Sequence, residues 1–199
     1  LHLCNKNMVK MDTNNYSKAK NDLLLDVCMA AKYEGNSIET HYTIHQATYD
    51  DSASQLCTVL ARSFADIGDI VRGRDMFLGS NKEKEKRKQL EKNLKTIFEK
   101  IHSEVTKGGK KGKKQDAKER YKDDGSGNYY QLREDWWDAN RHTVWEALTC
   151  DARDKAEYFR QTCSTGTRTN DKCRCKKNDG THDTNQVPTY FDYVPQYLR

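Results

Sequence analysis

The sequence has no long hydrophobic run, which excludes a membrane-spanning segment within it. No stretch of 18 consecutive apolar residues occurs, and a transmembrane helix needs about that length. The first ten residues also lack the regions of a signal peptide, and both ends read as positions inside a longer protein. Only 35% of the 199 residues are apolar, whereas 33% are charged. The fold therefore has to bury narrow apolar stripes beneath highly charged surfaces.

Motifs of catalysis are also lacking. Gly125-Ser126-Gly127 lies in a polar stretch rather than between a strand and a helix, so it does not predict a phosphate-binding loop. His41 and His45 have the spacing of a helical metal pair, but Tyr42 stands where a zinc protease has its glutamate. No serine occupies a nucleophile elbow. The sequence thus favours a binding protein over an enzyme, and no cofactor is expected.

The seven cysteines allow two interpretations. They stand at positions 4, 28, 57, 150, 163, 173 and 175. Zinc could be held by the last three together with His182, although their spacing matches no common zinc module. We favour disulfide bonds formed in an oxidising compartment. The odd count is expected if one cysteine pairs outside this chain.

Apolar residues recur at helical spacing in several segments. The predicted helices cover residues 12–33 with a cap at Asp12 or Thr13 and a stop at Gly35, then about 51–73, 82–102, 132–148 and 151–162. Residues 39–49 and 163–187 read as loops, and 188–199 as the start of another helix. Trp136 and Trp137 are adjacent, so we expect one in the core and the other at an edge or exposed. With no alternating strand pattern, the prediction is an all-α, disulfide-stapled helical bundle.

Positive charge is concentrated in one part of the chain. Residues 82–122 contain sixteen Lys or Arg and seven Asp or Glu, a net charge of +9 against +5 for the whole chain. Residues 107–128 hold almost no apolar side chains and are predicted to be a flexible basic loop. The candidate glycan-binding residues are Lys107, Lys110, Lys111, Lys113 and Lys114, flanked by Lys82, Lys84, Lys86, Arg87 and Lys88. Without interleaved aromatic residues, this pattern argues against nucleic acid.

Four segments carry a resemblance to a known family. Residues 55–73 read QLCTVLARSFADIGDIVRG, and residues 1–5, 145–150 and 188–199 read LHLCN, WEALTC and PTYFDYVPQYLR. In this order and spacing they resemble Duffy-binding-like domains, most closely the alpha class of the variant erythrocyte membrane adhesins of the malaria parasite. The resemblance runs through essentially the whole chain. It implies the tail of one subdomain at 1–11, a central helical subdomain at 12–187 and the start of the next at 188–199.

The resemblance also implies disulfide bonds and a function. Cys57 is expected to pair with Cys175 or Cys173, with Cys57–Cys175 and Cys163–Cys173 taken as the assignment. Cys28 is expected to pair with Cys150, and Cys4 with an upstream partner. The implied function is adhesion to host erythrocyte receptors and glycans, such as heparan sulfate, heparin or blood-group sugars, from the infected-cell surface, with a membrane anchor elsewhere in the parent protein. The alternative is a scaffold subdomain with antigenically variable loops and no ligand contact.

Overall fold

The computed structural model describes residues 6–11, 19–49, 53–76, 79–107, 111–122, 125–163, 166–169, 171–177, 179–181, 183 and 185–199. The side chains of residues 6, 43–49, 53–54 and 111–115 lie outside this description. The predicted cap residues Asp12 and Thr13, as well as Cys4, fall outside it too.

The described chain is helical and contains no strand. Its helices are α1 (Lys6–Val9), α2 (Ala19–Tyr49), α3 (Ala53–Arg72), α4 (Asn81–Lys107), α5 (Lys111–Arg120) and α6 (Tyr130–Leu148). Two 3₁₀ turns follow, at Phe191–Tyr193 and Gln196–Leu198. This confirms the predicted all-α class. Across the described residues, no helix is both long enough and apolar enough to cross a membrane.

Two predicted apolar stripes form the core. On α3, Leu56, Leu60, Phe64, Ile67 and Val71 are all fully buried, and on α4 the same holds for Leu90, Leu94, Ile97, Phe98 and Ile101. Apolar residues three and four positions apart share one face of a helix. The sequence therefore located both buried faces correctly.

Helix α6 lies between α3 and α4, and this corrects the prediction for its two tryptophans. Trp137 packs on Phe64 of α3 with ring centroids 5.1 Å apart. Trp136 packs edge-on against Phe98 of α4 at 6.2 Å. Both indoles are buried. Adjacent residues lie on different faces of α6, and each of these two faces is covered by a neighbouring helix.

Helix α2 is much longer than predicted. It continues through residues 39–49, which were expected to form a loop, and Gly35 is an interior residue rather than a stop. A Cβ atom at Gly35 would lie only 2.0 Å from the carbonyl oxygen of Leu148. Glycine is therefore needed here because the backbones of α2 and α6 approach each other closely, and not because the helix ends.

Replacing Gly35 by alanine tests this close approach. Alanine in a helix interior normally gains about 1 kcal/mol over glycine. Overpacking against a backbone atom that cannot rotate away costs about 1–3 kcal/mol or more, so the clash should prevail and G35A should lower the free energy of unfolding. Urea unfolding followed by circular dichroism measures this, with N36A on the exposed neighbouring position as control. A G35A protein as stable as the parent would contradict the packing described.

Residues 151–162 are not helical, contrary to prediction. Lys155 has a φ of 65°, and the backbone groups around it bind the cysteine-bearing segment instead of their own helix. The carbonyl of Ala156 accepts the N–H of Cys173 at 2.9 Å, and the N–H of Tyr158 donates to the hydroxyl of Thr169 at 2.6 Å. Hydrogen bonds to a segment distant in sequence thus replace the local hydrogen bonds that a helix would need.

The last twelve residues form 3₁₀ turns rather than the start of an α-helix. Their anchor is Asp192, whose carboxylate is buried and accepts hydrogen bonds from Nε1 of Trp137 at 3.0 Å and from Arg141 at 2.8 Å. The carbonyl oxygen of Asp192 accepts a hydrogen bond from Arg72. Residues 188–199 are therefore bound to α3 and α6 by a buried polar network.

Among the residues described there are two disulfide bonds, and both pairs differ from the assignment. Cys57 bonds to Cys173 and Cys163 bonds to Cys175, so the predicted partners are exchanged. The reason is a turn at Asp171–Arg174, whose two central residues, Lys172 and Cys173, have φ of 49° and 56°. The turn places Cys173 in the core beside Trp145, whose indole N–H donates to the Cys173 carbonyl at 3.2 Å. These bonds also exclude the zinc alternative for the same three cysteines.

The predicted Cys28–Cys150 bond is not formed, and both residues are free cysteines. The inward position at the end of α6 belongs to Thr149, which is fully buried and donates to the carbonyl of Trp145 at 2.8 Å. Cys150 follows it in an exposed turn. Burial raises the pKa of the Cys28 thiol to about 11, and the charge of Glu146 adds to that rise.

Candidate functional site

The structure separates the two groups of predicted glycan-binding residues. Lys82 lies in the first turn of α4 and Lys107 is its last residue. At 1.5 Å per residue, they are about 37 Å apart along the helix. Lys82–Lys88 therefore does not flank the segment around Lys107, as predicted, but occupies the opposite end of α4.

The segment 107–114 is partly helical, which corrects the prediction of a flexible loop over 107–128. Lys111, Lys113 and Lys114 lie in the first half of α5, whose first turn holds no acidic residue. The N-terminal end of a helix dipole is positive, and the three lysines there are positive as well. This end of α5 therefore attracts anions. Lys107 is exposed, while Lys110 and the side chains of the other three lie outside the described residues.

The other end of α5 is bound to the bundle, which explains why a segment so poor in apolar residues forms a helix. Arg120 donates to both carboxylate oxygens of Asp135 on α6, at 2.6 and 2.9 Å, and Tyr121 donates to the same carboxylate at 2.9 Å. The Arg120 hydrogen bonds lower the pKa of Asp135. Nε2 of His102 and the Tyr121 carbonyl are 2.9 Å apart. The contacts of Arg120 and Tyr121 thus hold this end of α5 against α4 and α6.

A cleft of about 610 Å³ lies at the other end of α4. It is bounded by the end of α3, the first half of α4 and the segment that precedes α6. Its basic lining comprises Lys84, Arg87, Lys88, Lys92 and Lys95, and its acidic lining Asp75 and Glu91. The cleft therefore carries a net charge of +3.

Four of these lysines form a row on one face of α4. Lys84, Lys88, Lys92 and Lys95 are spaced by four, four and three residues, which places them on the same side of the helix. The row is about 17 Å long at the helical rise per residue. Lys88 pairs with the exposed Glu85 at 3.4 Å. In the part of the chain that the structure describes, the other three lysines enter no ion pair.

The carboxylates in the cleft are already bound by arginines. Glu91 accepts two hydrogen bonds from the guanidinium of Arg133, at 2.7 and 2.9 Å. Arg133 is completely buried and also donates to the carbonyls of Val71 and Ile70, at 2.6 and 3.3 Å. This fixed geometry keeps Glu91 from neutralising the lysine row. Arg133 thus compensates the negative charge of Glu91.

Asp75 forms an ion pair with Arg87 at the mouth of the cleft. Burial lowers the pKa of the Arg87 guanidinium, and the charge of Asp66 partly opposes that change. Gly73, next to this pair, has a φ of 72°, and a Cβ there would lie 2.8 Å from Nη1 of Arg133. Glycine is therefore needed at position 73 for two reasons. The turn after α3 requires a positive φ there, and a side chain would collide with the guanidinium of Arg133.

Some of the residues that line this cleft were candidates from the sequence, and others were not. Lys84, Arg87 and Lys88 were candidates, whereas Lys92, Lys95, Asn128 and Tyr130 were not. The spacing of the four lysines is visible in the sequence and could have indicated a shared face. The involvement of Asn128 and Tyr130, 33 or more residues away from Lys95, depends on the tertiary fold.

Over the described residues, no group of three or more His, Cys, Asp or Glu side chains is placed to hold a metal ion. His182 lies outside the description.

Comparison with known proteins assigns the chain to a family. The model described as the Duffy binding domain matches residues 1–199. The chain belongs to the Duffy binding domain family. No match was found among curated proteins.

Solved structures of this family have the same fold. The NTS-DBL1-alpha and CIDR-gamma double domain of PfEMP1 from the Plasmodium falciparum varO strain is 42% identical over 99% of this chain, with a TM-score of 0.75. The NTS-DBL1(alpha-1) domain of the same strain is 42% identical over 99%, with a TM-score of 0.72. The ICAM-1-binding PfEMP1 IT4var13 DBLbeta domain is 30% identical over 100%, with a TM-score of 0.68. The higher identity to the alpha domains agrees with the resemblance in the sequence.

This Duffy binding domain chain is shorter than those relatives. It spans 25%, 40% and 39% of the three solved chains, respectively. The expected subdomain boundaries at residues 11/12 and 187/188 stay a prediction.

Proposed function

We propose that this chain is an extracellular adhesion module that binds receptors or anionic glycans on a host cell. Its similarity to a PfEMP1 domain described as ICAM-1-binding supports the general class. In this proposal the parent protein anchors the module at the surface of the infected erythrocyte. The ligand is a heparan-type polysaccharide, with blood-group sugars as a second ligand class.

The observation that carries the glycan proposal is the placement of the 107–114 lysines. Lys111, Lys113 and Lys114 lie in the first turn of α5, where their positive charges add to the positive end of the helix dipole. A sulfated chain at this end would neutralise this charge and release counterions from its own surface, which makes binding sensitive to salt. Since these residues are lysines, the contact depends on charge more than on bidentate geometry.

Heparin chromatography tests the proposed contact. The variant K110A/K111A/K113A/K114A should elute at a lower salt concentration than the parent, because four cationic contacts are lost. The control K10A/K32A/K118A/K122A removes the same charge at exposed lysines outside both the segment 107–114 and the cleft. The two variants should therefore differ even though their net charge is the same. Equal elution of the two would reject the assignment of residues 107–114.

A further inference from the structure

The cleft along the first half of α4 has the features of a ligand site in its own right. It combines a volume of about 610 Å³ with a row of four lysines on one helix face. Because α4 is a single helix of 27 residues, the row lies far from Lys107–Lys114 and the two groups cannot form one local contact. The cleft is therefore a candidate site separate from residues 107–114.

The chemistry of the cleft selects an extended polyanion. Lys84, Lys92 and Lys95 form no ion pair among the described residues. The two carboxylates of the cleft pair with arginines instead, Glu91 with Arg133 and Asp75 with Arg87. A row of point charges about 17 Å long matches a linear chain with regularly placed anionic groups better than one compact anion. The ligand thus has to be long enough to contact several lysines at once.

The remaining lining favours a sugar chain over a nucleic acid. Tyr130 is the aromatic residue in the described lining and is half exposed, and Asn128 supplies an amide beside it. Nucleic acid without sequence preference is usually bound by several aromatic side chains that stack on successive bases. One tyrosine ring with an amide can instead pack on a sugar ring and bind its hydroxyl groups. The anionic groups of such a ligand would be sulfates.

We propose that this cleft is a second, independent binding site for a sulfated polysaccharide, with Lys84, Lys88, Lys92 and Lys95 as the cationic contacts and Tyr130 and Asn128 as the neutral ones. The inference shares its ligand class with the proposed function, but it does not depend on residues 107–114. Arg133 is a positioning residue in this site, since it holds Glu91 away from the lysines.

Three variants with the same change in charge separate the two sites. They are K84A/K88A/K92A/K95A in the cleft, K110A/K111A/K113A/K114A in the segment, and the control K10A/K32A/K118A/K122A. For the cleft variant, salt-dependent heparin binding should show one binding site fewer than for the parent, because the four cationic contacts of that site are lost. A cleft variant that binds like the control overturns this inference, whatever the segment variant does. Loss of binding in the cleft variant alone supports the inference and rejects the segment assignment.

Lysine acetylation in the parent protein locates the contact without any substitution. A heparin oligosaccharide should protect Lys84, Lys92 and Lys95 from acetylation, as measured by peptide mass spectrometry. Lys32 on α2 and Lys118 on α5 are exposed and lie outside the cleft lining, so they should be modified to the same extent with and without the oligosaccharide. Equal labelling of both sets in the presence of oligosaccharide overturns the proposal. Protection that single-stranded DNA reproduces at equal concentration overturns the choice of a polysaccharide.

Discussion

Replacing Cys57 and Cys173 together by serine is expected to lower the free energy of unfolding by about 5 kcal/mol in the chain-entropy model of a long closed loop. The two cysteines are 116 residues apart, so their bond restricts most of the unfolded chain. Domains of this size are usually stable by about 5–15 kcal/mol. The double variant should therefore lose between about a third and all of its stability.

The second disulfide provides a matched comparison. Cys163 and Cys175 are only 12 residues apart, and the same model predicts a loss of about 3 kcal/mol when both become serine. Urea unfolding of the two double variants, followed by circular dichroism, measures the difference. An equal loss in both would show that loop length does not determine the contribution of these bonds.

The pairing itself can be read from a tryptic digest without reduction. Trypsin cleaves after Lys172, Arg174 and Lys176, so Cys173 and Cys175 leave in separate dipeptides. The structure predicts that the Cys57 peptide carries Cys-Arg and that the Cys163 peptide carries Cys-Lys. The reverse result would restore the assignment made from the sequence, Cys57–Cys175 and Cys163–Cys173.

Replacing Asp192 by alanine is the other change with a large expected effect. The carboxylate accepts hydrogen bonds from Trp137 and Arg141, and its side chain is completely buried. Without it, a buried guanidinium loses its counter-charge and an indole N–H loses its acceptor. Removing one partner of such a buried pair usually costs about 3–5 kcal/mol, so D192A should be destabilised by about that amount.

The state of Arg141 supports this expectation. Burial alone lowers the pKa of its guanidinium, but the hydrogen bonds and charge of Asp192 raise the pKa on balance. The carboxylate therefore compensates for the burial of Arg141.

Asp138 offers a control on the same helix. Its carboxylate accepts a hydrogen bond from the hydroxyl of Tyr193 at 2.8 Å, but at an exposed position. D138A should cost less than about 1 kcal/mol, as is usual for polar contacts in solvent. Chemical unfolding ranks the two variants, and limited proteolysis reports whether residues 188–199 leave α3 and α6 in D192A. Equal stability of D192A and D138A would show that Asp192 is not the anchor of the C-terminal segment.

The sequence by itself determined the helical class, the family and the buried faces of α3 and α4. Leu56 to Val71 and Leu90 to Ile101 were predicted correctly because a helix repeats every 3.6 residues, so a buried stripe depends only on local spacing. The high charge between residues 82 and 122 was also visible, since it needs no knowledge of contacts. Disulfide bonding was foreseen from the cysteine count. The family resemblance left Cys57–Cys173 as one of two options, but the assignment chosen was the other one.

Only the tertiary structure decided how these parts meet. Gly35 lies inside α2 because α6 passes close to it, and local propensity had suggested a helix end there. Cys173 reaches Cys57 because Lys172 and Cys173 adopt positive φ, which neither residue favours by itself. The lysine row keeps its charge because Arg133, 42 residues further along the chain, binds Glu91. Each of these outcomes depends on groups that are distant in sequence, and local spacing holds no information about such contacts.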